Sequence, residues 1–440
     1  MQMVPSLMRE ENKESDDYEP KVVSLGPYHH GKHPKLKFVE DFKPEAVKMF
    51  IEDKNDGVFM HAILRDIGYA KSCYLEKFTS GYSDEVFARM MLQDACLILN
   101  YIGPTTKTEQ SQKKIRIINQ LGTVVYTNIR RDMYLLENQV PFYILKILVS
   151  LKYGTTLGDK LLEIMETYCF KMFFPDKNFD KPDVTNNEME PPHILEIFRR
   201  VIITGVDHES TPPADHCCDI NNLVSCLDHC CFSINKETIM PGRYVFRSVM
   251  DLKSKGIDFR ASGIKSLKGV RFSPTKFCQS AMLKLPRCYV TMYTRVFFMN
   301  MIAYEISPNF FMPKSIIAYV SFMKLLVVSK EDVKELREKE IIINSLGSDE
   351  QVVELYNALN TYEADDSSSY YDVKMNIEEH YNSKVKMWMA GLKENYFNNP
   401  WSIIALVGSV VLLILTILQT YYAGHDTGDK CCSKGKFHLD

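Results

Sequence analysis

The densest set of side chains that could bind a metal lies in the stretch 208–231. The candidate ligands are His216, Cys217, Cys226, His229 and Cys230. Zinc takes four nitrogen or sulfur ligands in a tetrahedron, often from cysteines two to four residues apart, and Cys226 and Cys230 have a comparable separation. Two pairs of adjacent cysteines in the same stretch match no specific zinc spacing. Two interpretations therefore stay open, a structural zinc site or a loop with incidental thiols.

Two further groups have the residue types for chemistry. His29 and His30 are adjacent in Gly-Pro-Tyr-His-His-Gly and either bind a metal or move a proton, or serve as polar packing in an ordered loop. Glu137, Asn138 and Gln139 interrupt an apolar run before a proline. Glu137 is either a buried acid with a raised pKa, or these three residues satisfy free backbone groups where a helix ends.

Linear signatures of common catalytic sites are absent from the sequence. It contains no phosphate-binding glycine loop, no dinucleotide-binding glycine motif, no His-Glu-x-x-His and no Gly-x-Ser-x-Gly. We therefore expect no catalytic residue and no cofactor, apart from the zinc alternative. The net charge of -3 gives no basic excess, so nucleic acid is not an expected partner.

The elements that must position these residues are mostly helical. The fold class predicted from the apolar spacing is mainly α, with a helical globular body and a small β element near 270–293. The predicted organisation is a disordered acidic N-terminus (1–17), a body (18–360) with a Cys/His-rich loop (204–242), a linker (361–371) and a juxtamembrane helix (372–399). The 12 cysteines, in a chain without a secretory signal, are expected to be reduced thiols.

Several helix boundaries carry local signals. Ser83 precedes two acids and predicts an N-cap for a helix over 84–101. Capping-box spacing pairs Ser329 with Asp332 and Ser348 with Gln351. A further helix is predicted over 115–137.

The strongest local signal is an uncharged apolar stretch over 401–423. About 20 such residues are needed to cross a bilayer, and Trp401 and Tyr421 are aromatic residues of the kind that flank a membrane helix. The sequence therefore predicts one C-terminal transmembrane helix followed by a short tail (424–440), with the lipid bilayer as a partner.

The orientation of this helix depends on weaker signals. Flanking lysines are balanced, so they do not decide it. The missing signal peptide favours a cytosolic body, whereas Cys431 and Cys432 are lipidation candidates that would place the tail in the cytosol. We expect a single-pass protein of the plasma membrane or endomembranes, with its body in the cytosol.

Blocks in chain order resemble the plant family called domain of unknown function 247. They are the opening motif over 18–31, the block 87–96, the Leu-Leu-Glu-Asn-Gln-Val-Pro-Phe block over 132–142, two segments at 321–326 and 342–350, and Tyr396-Phe-Asn-Asn-Pro-Trp401. The family usually has acids where Thr291 and Met292 stand here, which puts any role of those acids in doubt. Some grass members are associated with pollen self-incompatibility, so the resemblance implies recognition.

Two functions from different classes follow. The first is a membrane-tethered recognition or signalling protein without catalytic activity, with an unknown protein partner, in self-incompatibility or related cell recognition. The second is a membrane-bound metal-dependent enzyme that uses the His/Cys clusters.

Overall fold

The computed structural model of the chain is built mainly from α-helices, with a few short strands. It describes residues 1–12, 15–104, 106–174, 189–204, 247–274, 281–308, 312–364, 370–382, 408–409 and 411–421. The helices of the first half are α1 (Ser6–Glu11), α2 (Lys37–Glu40), α3 (Lys43–Ile51), α4 (Asp56–Arg65), α5 (Ile67–Ser72), α6 (Asp84–Ile102), α7 (Lys107–Leu121), α8 (Thr123–Asp132), α9 (Phe142–Tyr153), α10 (Thr155–Asp159), α11 (Leu161–Phe173) and α12 (Ile194–Ile203). Those of the second half are α13 (Val249–Ser254), α14 (Thr294–Ile306), α15 (Ser315–Leu326), α16 (Lys330–Glu338), α17 (Asp349–Ala358) and α18 (Tyr371–Asn382).

Helix α6 is the central element of the N-terminal half. It begins at the predicted cap, where the Ser83 hydroxyl accepts a hydrogen bond from the Val86 N–H, and acids in its first turn suit the positive end of the helix dipole. It packs against α3, α4, α7, α9 and α11. Because neighbours surround it, almost all of its second half is buried.

The helix predicted over 115–137 is two helices instead. Gly122 has φ +86 and separates α7 from α8, because a left-handed backbone conformation cannot continue a right-handed helix. Helix α8 then ends at Asp132. The capping prediction at Ser329 is confirmed, since Ser329 and Asp332 form a reciprocal capping box. Ser348 also caps its helix through the Gln351 N–H.

The strands are β1 (Ile257–Ala261), β2 (Arg271–Ser273), β3 (Ala281–Leu285), β4 (Cys288–Val290) and β5 (Ile342–Asn344). One sheet has the order β1-β3-β2, with β1 parallel and β2 antiparallel to β3. In the other, β4 pairs with β5 in parallel. Three strands lie in the interval predicted to be β, whereas β1 and β5 lie outside it, because a short apolar run cannot be told from a helix segment by periodicity alone.

The N-terminus differs from the disordered segment that its polar composition predicted. Helix α1 buries Met8, and Val4 is also buried in the core. The Val4 N–H donates to the Glu137 carboxylate at 2.8 Å. Contacts with residues more than a hundred positions away therefore order a segment whose local composition gives no sign of structure.

The C-terminal region is described in part. Residues 408–409 and 411–421 are helical, while the remainder of the predicted span and the whole tail with Cys431 and Cys432 lie outside the described residues. Within the described ranges, no helix combines the length and the apolar character that a membrane crossing requires. Helix α18 covers the start of the predicted juxtamembrane helix.

Candidate functional site

The first candidate region is where the N-terminal segment meets the loop between α8 and α9. The Asp132 carboxylate accepts hydrogen bonds from the backbone N–H groups of Lys21 (2.9 Å), Val22 (2.8 Å) and Val23 (3.1 Å). Burial raises the pKa of Asp132, and the Val22 N–H and the Arg131 guanidinium act against that rise. Arg131 donates to the Asp132 carboxylate at 2.6 Å. Both side chains are buried, so this is a paired internal charge.

Two amides of the same loop complete the attachment. Asn138 accepts from the Leu25 N–H at 2.6 Å and donates to the carbonyl oxygens of Val23 (3.1 Å) and Asp132 (2.9 Å). Gln139 donates to two carbonyl oxygens of its own loop at 2.7–2.8 Å. Of the two interpretations of this block, the one in which its polar residues satisfy free backbone groups is confirmed. We call Arg131, Asp132 and Asn138 the tie cluster.

A buried lysine holds the next turn of the N-terminal segment. The Lys43 ammonium lies 2.6 Å from carboxylate oxygens of both Asp94 and Glu40, and the Gly26 N–H donates to Asp94 at 2.7 Å. Gly26 has φ +73, and a Cβ there would lie 2.8 Å from the Gln139 carbonyl oxygen, so this position requires glycine. Lys43 and Asp94 could not be singled out from the sequence, because they are paired across distant positions.

An acid–histidine group lies at the edge of the same region, and we call Glu19, His29 and His33 the rim cluster. Glu19 Oε2 lies 3.6 Å from His29 Nδ1 and 3.6 Å from His33 Nε2. Glu19 and His33 are partly exposed, at 31% and 43% for their side chains, whereas His29 is 4% exposed. Among the described residues, this group has the donor atoms and the proximity to hold a metal ion.

The second ring nitrogen of His29 lies near Glu137. His29 Nε2 lies 3.7 Å from Glu137 Oε2 and is buried without a hydrogen-bond partner. Burial lowers the pKa of His29 to about 4, although Glu19 acts in the opposite direction. Arg9 donates to Glu137 at 2.7 Å and also pairs with Glu19 Oε1. The imidazole is therefore neutral at pH 7, between two carboxylates that share one guanidinium.

The second histidine of the pair does not join this group. His30 Nδ1 lies 3.6 Å from Glu40 Oε2, and its ring packs edge-on near Tyr82. The neighbouring Tyr28 hydroxyl donates to the Met1 carbonyl at 2.9 Å and accepts from the Leu75 N–H. A site made from His29 together with His30 is therefore not formed. Glu19 and His33 were not predicted as site residues, because their proximity to His29 arises only in the fold.

A second buried charge group ties α12, α14 and α15 together. Arg199 donates to Glu196 at 2.7 Å and to Glu305 at 3.1 Å. Glu305 also accepts from the N–H groups of Ile316 and Ile317 at the start of α15. Burial raises the pKa of Glu305 to about 7, against the effect of Arg199. The contacts of this charge group described above lie inside the body, which is typical of residues with a structural role.

A cavity of about 170 Å³ opens beside α14. Its walls are largely aromatic and also include Arg130 and Thr291. Thr291 accepts from the Tyr293 N–H, and its own N–H donates to the Thr294 hydroxyl at 2.9 Å, so it shapes the turn before α14. Met292 is 71% exposed and points away from the core.

The remaining predicted site residues are described only in part. The candidate zinc ligands His216, Cys217, Cys226, His229 and Cys230 lie outside the described residues. The four cysteines within the described ranges, Cys73, Cys96, Cys169 and Cys288, are free thiols. For these four, the prediction of reduced cysteines is confirmed.

Comparison with known proteins identifies the relatives of this chain. The DUF247 family, described as plant proteins of unknown function, matches residues 1–415. A UPF0481 protein of Arabidopsis thaliana is 27% identical over 429 residues, covering 92% of this chain and 82% of that relative. A putative UPF0481 protein of the same plant is 22% identical over 472 residues, covering 92% and 87%. No solved structure matches the chain. Because the family match spans nearly the whole chain, the chain belongs to the plant family called domain of unknown function 247.

Proposed function

We propose that the chain is a membrane-tethered recognition protein without catalytic activity, held in the bilayer by a single helix over 401–423. The observation that carries this proposal is the helix over 411–421, whose apolar side chains are not covered by the body. Leu412, Leu413 and Ile417 are 66%, 62% and 61% exposed. Leaving such a side chain in water costs about 1.5–3 kcal/mol relative to burying it. A lipid environment removes that cost.

Polar groups within the same helix support a hydrocarbon environment. The Thr416 hydroxyl donates to the Leu412 carbonyl and the Thr420 hydroxyl to the Thr416 carbonyl, both at 2.8 Å. Each hydroxyl is thereby satisfied inside the helix and needs no water, which is how polar side chains are accommodated in a bilayer. The uncharged sequence continues on both sides of these residues, over 401–423.

The body supports recognition better than chemistry. Its large buried charges at Asp132, Lys43 and Glu305 are all engaged by backbone groups or by opposite charges, so they are committed to holding the fold. A body of this kind offers a rigid surface to an unknown protein partner. Cell recognition falls within this proposal, and self-incompatibility, with which some grass members of the family are associated, is one form of it.

The alternative is a membrane-bound metal-dependent enzyme. Its Cys/His-rich stretch lies outside the described residues, and within the described part it has the rim cluster alone. Three protein ligands with an open position is the arrangement of catalytic zinc sites. A hydrolase screen of the metal-loaded full chain distinguishes the two, because zinc-dependent turnover that is lost on substitution of His33 would favour the enzyme.

Membrane tethering is tested by replacing the anchor in plant cells. Deletion of 401–423 should release the protein into the carbonate-washed supernatant, while substitution of the same residues by an unrelated Leu-rich span should restore membrane association. The rescue variant is the matched control, since it keeps length and hydrophobicity but not sequence. Membrane association of the deletion variant after the wash would contradict the proposal.

Orientation and recognition need separate measurements. A glycosylation acceptor engineered into 424–440 should be modified, and one placed on an exposed loop of the body should not, if the body is cytosolic. Proximity labelling from native membranes should then identify partners on the side of the body. Modification of the body acceptor alone would place the body outside the cytosol instead.

A further inference from the structure

The rim cluster has the spacing of a metal site. Ligand atoms bound to one tetrahedral zinc at 2.0–2.2 Å lie about 3.3–3.6 Å from each other. Glu19 Oε2 is 3.6 Å from a nitrogen of each histidine. The three donor atoms all lie within 4.8 Å of one another. A shift of the exposed His33 side chain brings the nitrogens of the two histidines to the spacing of zinc ligands.

The donor atoms of the rim cluster make no hydrogen bonds to one another. Arg9 pairs with Glu19 Oε1, which leaves Oε2 as the oxygen that faces both imidazoles. At 3.6 Å these contacts are too long for hydrogen bonds. The nitrogens and the oxygen are thus close together without using one another, and that leaves each of them able to bind a cation.

Glu137 is placed to give the outer support that metal-bound histidines usually have. Such histidines donate their second ring N–H to a carboxylate or carbonyl, which fixes the ring and strengthens the metal bond. His29 Nε2 is buried, lacks a hydrogen-bond partner and lies 3.7 Å from Glu137 Oε2. When Nδ1 binds a metal, the proton of the ring resides on Nε2, directed at this carboxylate.

The donor set selects the kind of metal. Two imidazoles and one carboxylate suit zinc and similar transition metals, whereas magnesium and calcium prefer oxygen ligands. The site lies at the surface edge, since His33 is 43% exposed, so solvent has access to a fourth position. Within the described part of the chain, the geometry therefore provides three protein ligands and not the four of a closed structural site.

We propose that Glu19, His29 and His33 bind one zinc-type divalent cation, with Glu137 as the positioning residue behind His29 and a solvent-facing fourth position. The bound ion joins Glu19 to the turn that carries His29 and His33, and the contact of His29 with Glu137 connects that turn to the loop that precedes α9. This site is distinct from the Cys/His-rich stretch and does not depend on the membrane helix.

The site is tested by calorimetry of zinc binding. The full chain in detergent is first stripped of metal with a chelator and dialysed. All proteins carry serine in place of the clustered cysteines of the Cys/His-rich stretch and of the tail, which removes the thiols that would compete for zinc. The replaced residues are Cys217, Cys218, Cys226, Cys230, Cys231, Cys431 and Cys432. One zinc equivalent should bind, and His33→Ala and Glu19→Gln should each weaken binding by at least about tenfold. His30→Ala is the matched control, because it removes a histidine of the same motif that lies outside the cluster, and it should leave binding unchanged.

Two further readouts distinguish ligand loss from misfolding. The circular dichroism spectrum of each variant must match that of the parent, and both altered positions are partly exposed. Cobalt in place of zinc should give a spectrum without thiolate charge transfer in the parent protein. Glu137→Gln should weaken zinc binding by about 10–100-fold. No zinc binding by the parent, or equal affinity in the folded His33→Ala and Glu19→Gln variants, would overturn the proposal.

Discussion

Two clusters involve the same N-terminal segment, and they use their polar groups in different ways. In the tie cluster, carboxylate and amide groups form hydrogen bonds with backbone N–H and C=O groups at 2.6–3.1 Å. In the rim cluster, side chains face only other side chains, at 3.6 Å. The first arrangement uses up its polar atoms, whereas the second leaves lone pairs free. We infer from this difference that buried polar residues with all their hydrogen bonds formed are structural. Polar residues that lie close together without hydrogen bonds are instead able to form a binding site.

The largest expected effect is loss of the tie cluster carboxylate. Asp132→Ala leaves Arg131 buried without its partner and three N–H groups without an acceptor, so it should lower the free energy of unfolding by about 3–5 kcal/mol. Denaturant unfolding of the full chain in detergent measures this. Asp66→Ala, at an exposed acid paired with its neighbour Arg65, should change stability by less than about 0.5 kcal/mol. Equal losses of stability in the two variants would show that the buried hydrogen bonds of Asp132 contribute no more than an exposed ion pair.

Removal of the tie cluster amide comes next. Asn138→Ala removes one acceptor and two donors from buried backbone groups, and each unsatisfied group costs about 1–3 kcal/mol. Partial relaxation and water entry reduce the sum, so we expect a loss of about 2–3 kcal/mol in the same unfolding measurement. A loss below about 0.5 kcal/mol would show that these hydrogen bonds do not hold the segment.

The contribution of the rim cluster to the free energy of unfolding should instead depend on pH. Burial lowers the pKa of His29 to about 4 in the folded protein, below its ordinary value of 6.5. The resulting stabilisation is fully present above pH 6.5 and is lost as the pH falls through about 4. With a chelator present, the full chain should lose about 2 kcal/mol from this group between pH 7 and pH 5.

The matched variant for this measurement is His29→Gln. It replaces the imidazole by a polar amide that does not titrate. Its unfolding free energy should fall by about 2 kcal/mol less over the same pH interval. Identical pH profiles of the two proteins would mean that His29 is as accessible to protons in the folded chain as in the unfolded one.

The smallest expected effect is on metal-free stability at the exposed end of the rim cluster. His33 makes no contact shorter than 3.6 Å to Glu19, so His33→Ala should alter the free energy of unfolding by less than about 0.5 kcal/mol when zinc is absent. A loss above about 2 kcal/mol in the chelated protein would make His33 a structural residue and remove the contrast between the clusters.

Local signals predicted much of the helical framework. Ser83 and Ser329 mark helix starts through side chains that bond to backbone three residues later, and such short-range chemistry can be read from sequence. The break at Gly122 was missed, since a positive φ depends on how α7 and α8 pack. Strands β1 and β5 were missed because a short apolar run cannot be told from a helix segment by periodicity alone.

The site was only half predictable. His29 and the Glu137 block stand out as polar residues in unusual positions, and both prove to be central to the region. Glu19, His33 and Arg9 carry no local signal, because their significance comes from a chain path that brings positions 9, 19 and 137 together. Burial of the first residues through Val4 and Met8 could not be read from a polar, acidic stretch.

X-ray absorption at the zinc edge tests the zinc site through its ligands. The sample is the full chain in detergent with the same cysteine-to-serine substitutions, loaded with one equivalent of zinc. We expect a first shell of nitrogen and oxygen only, near 2.0–2.2 Å, with the outer-shell scattering of two imidazoles that drops to one in His33→Ala. A shell of six oxygens without imidazole scattering, or two imidazoles that persist in the folded His33→Ala variant, would contradict it.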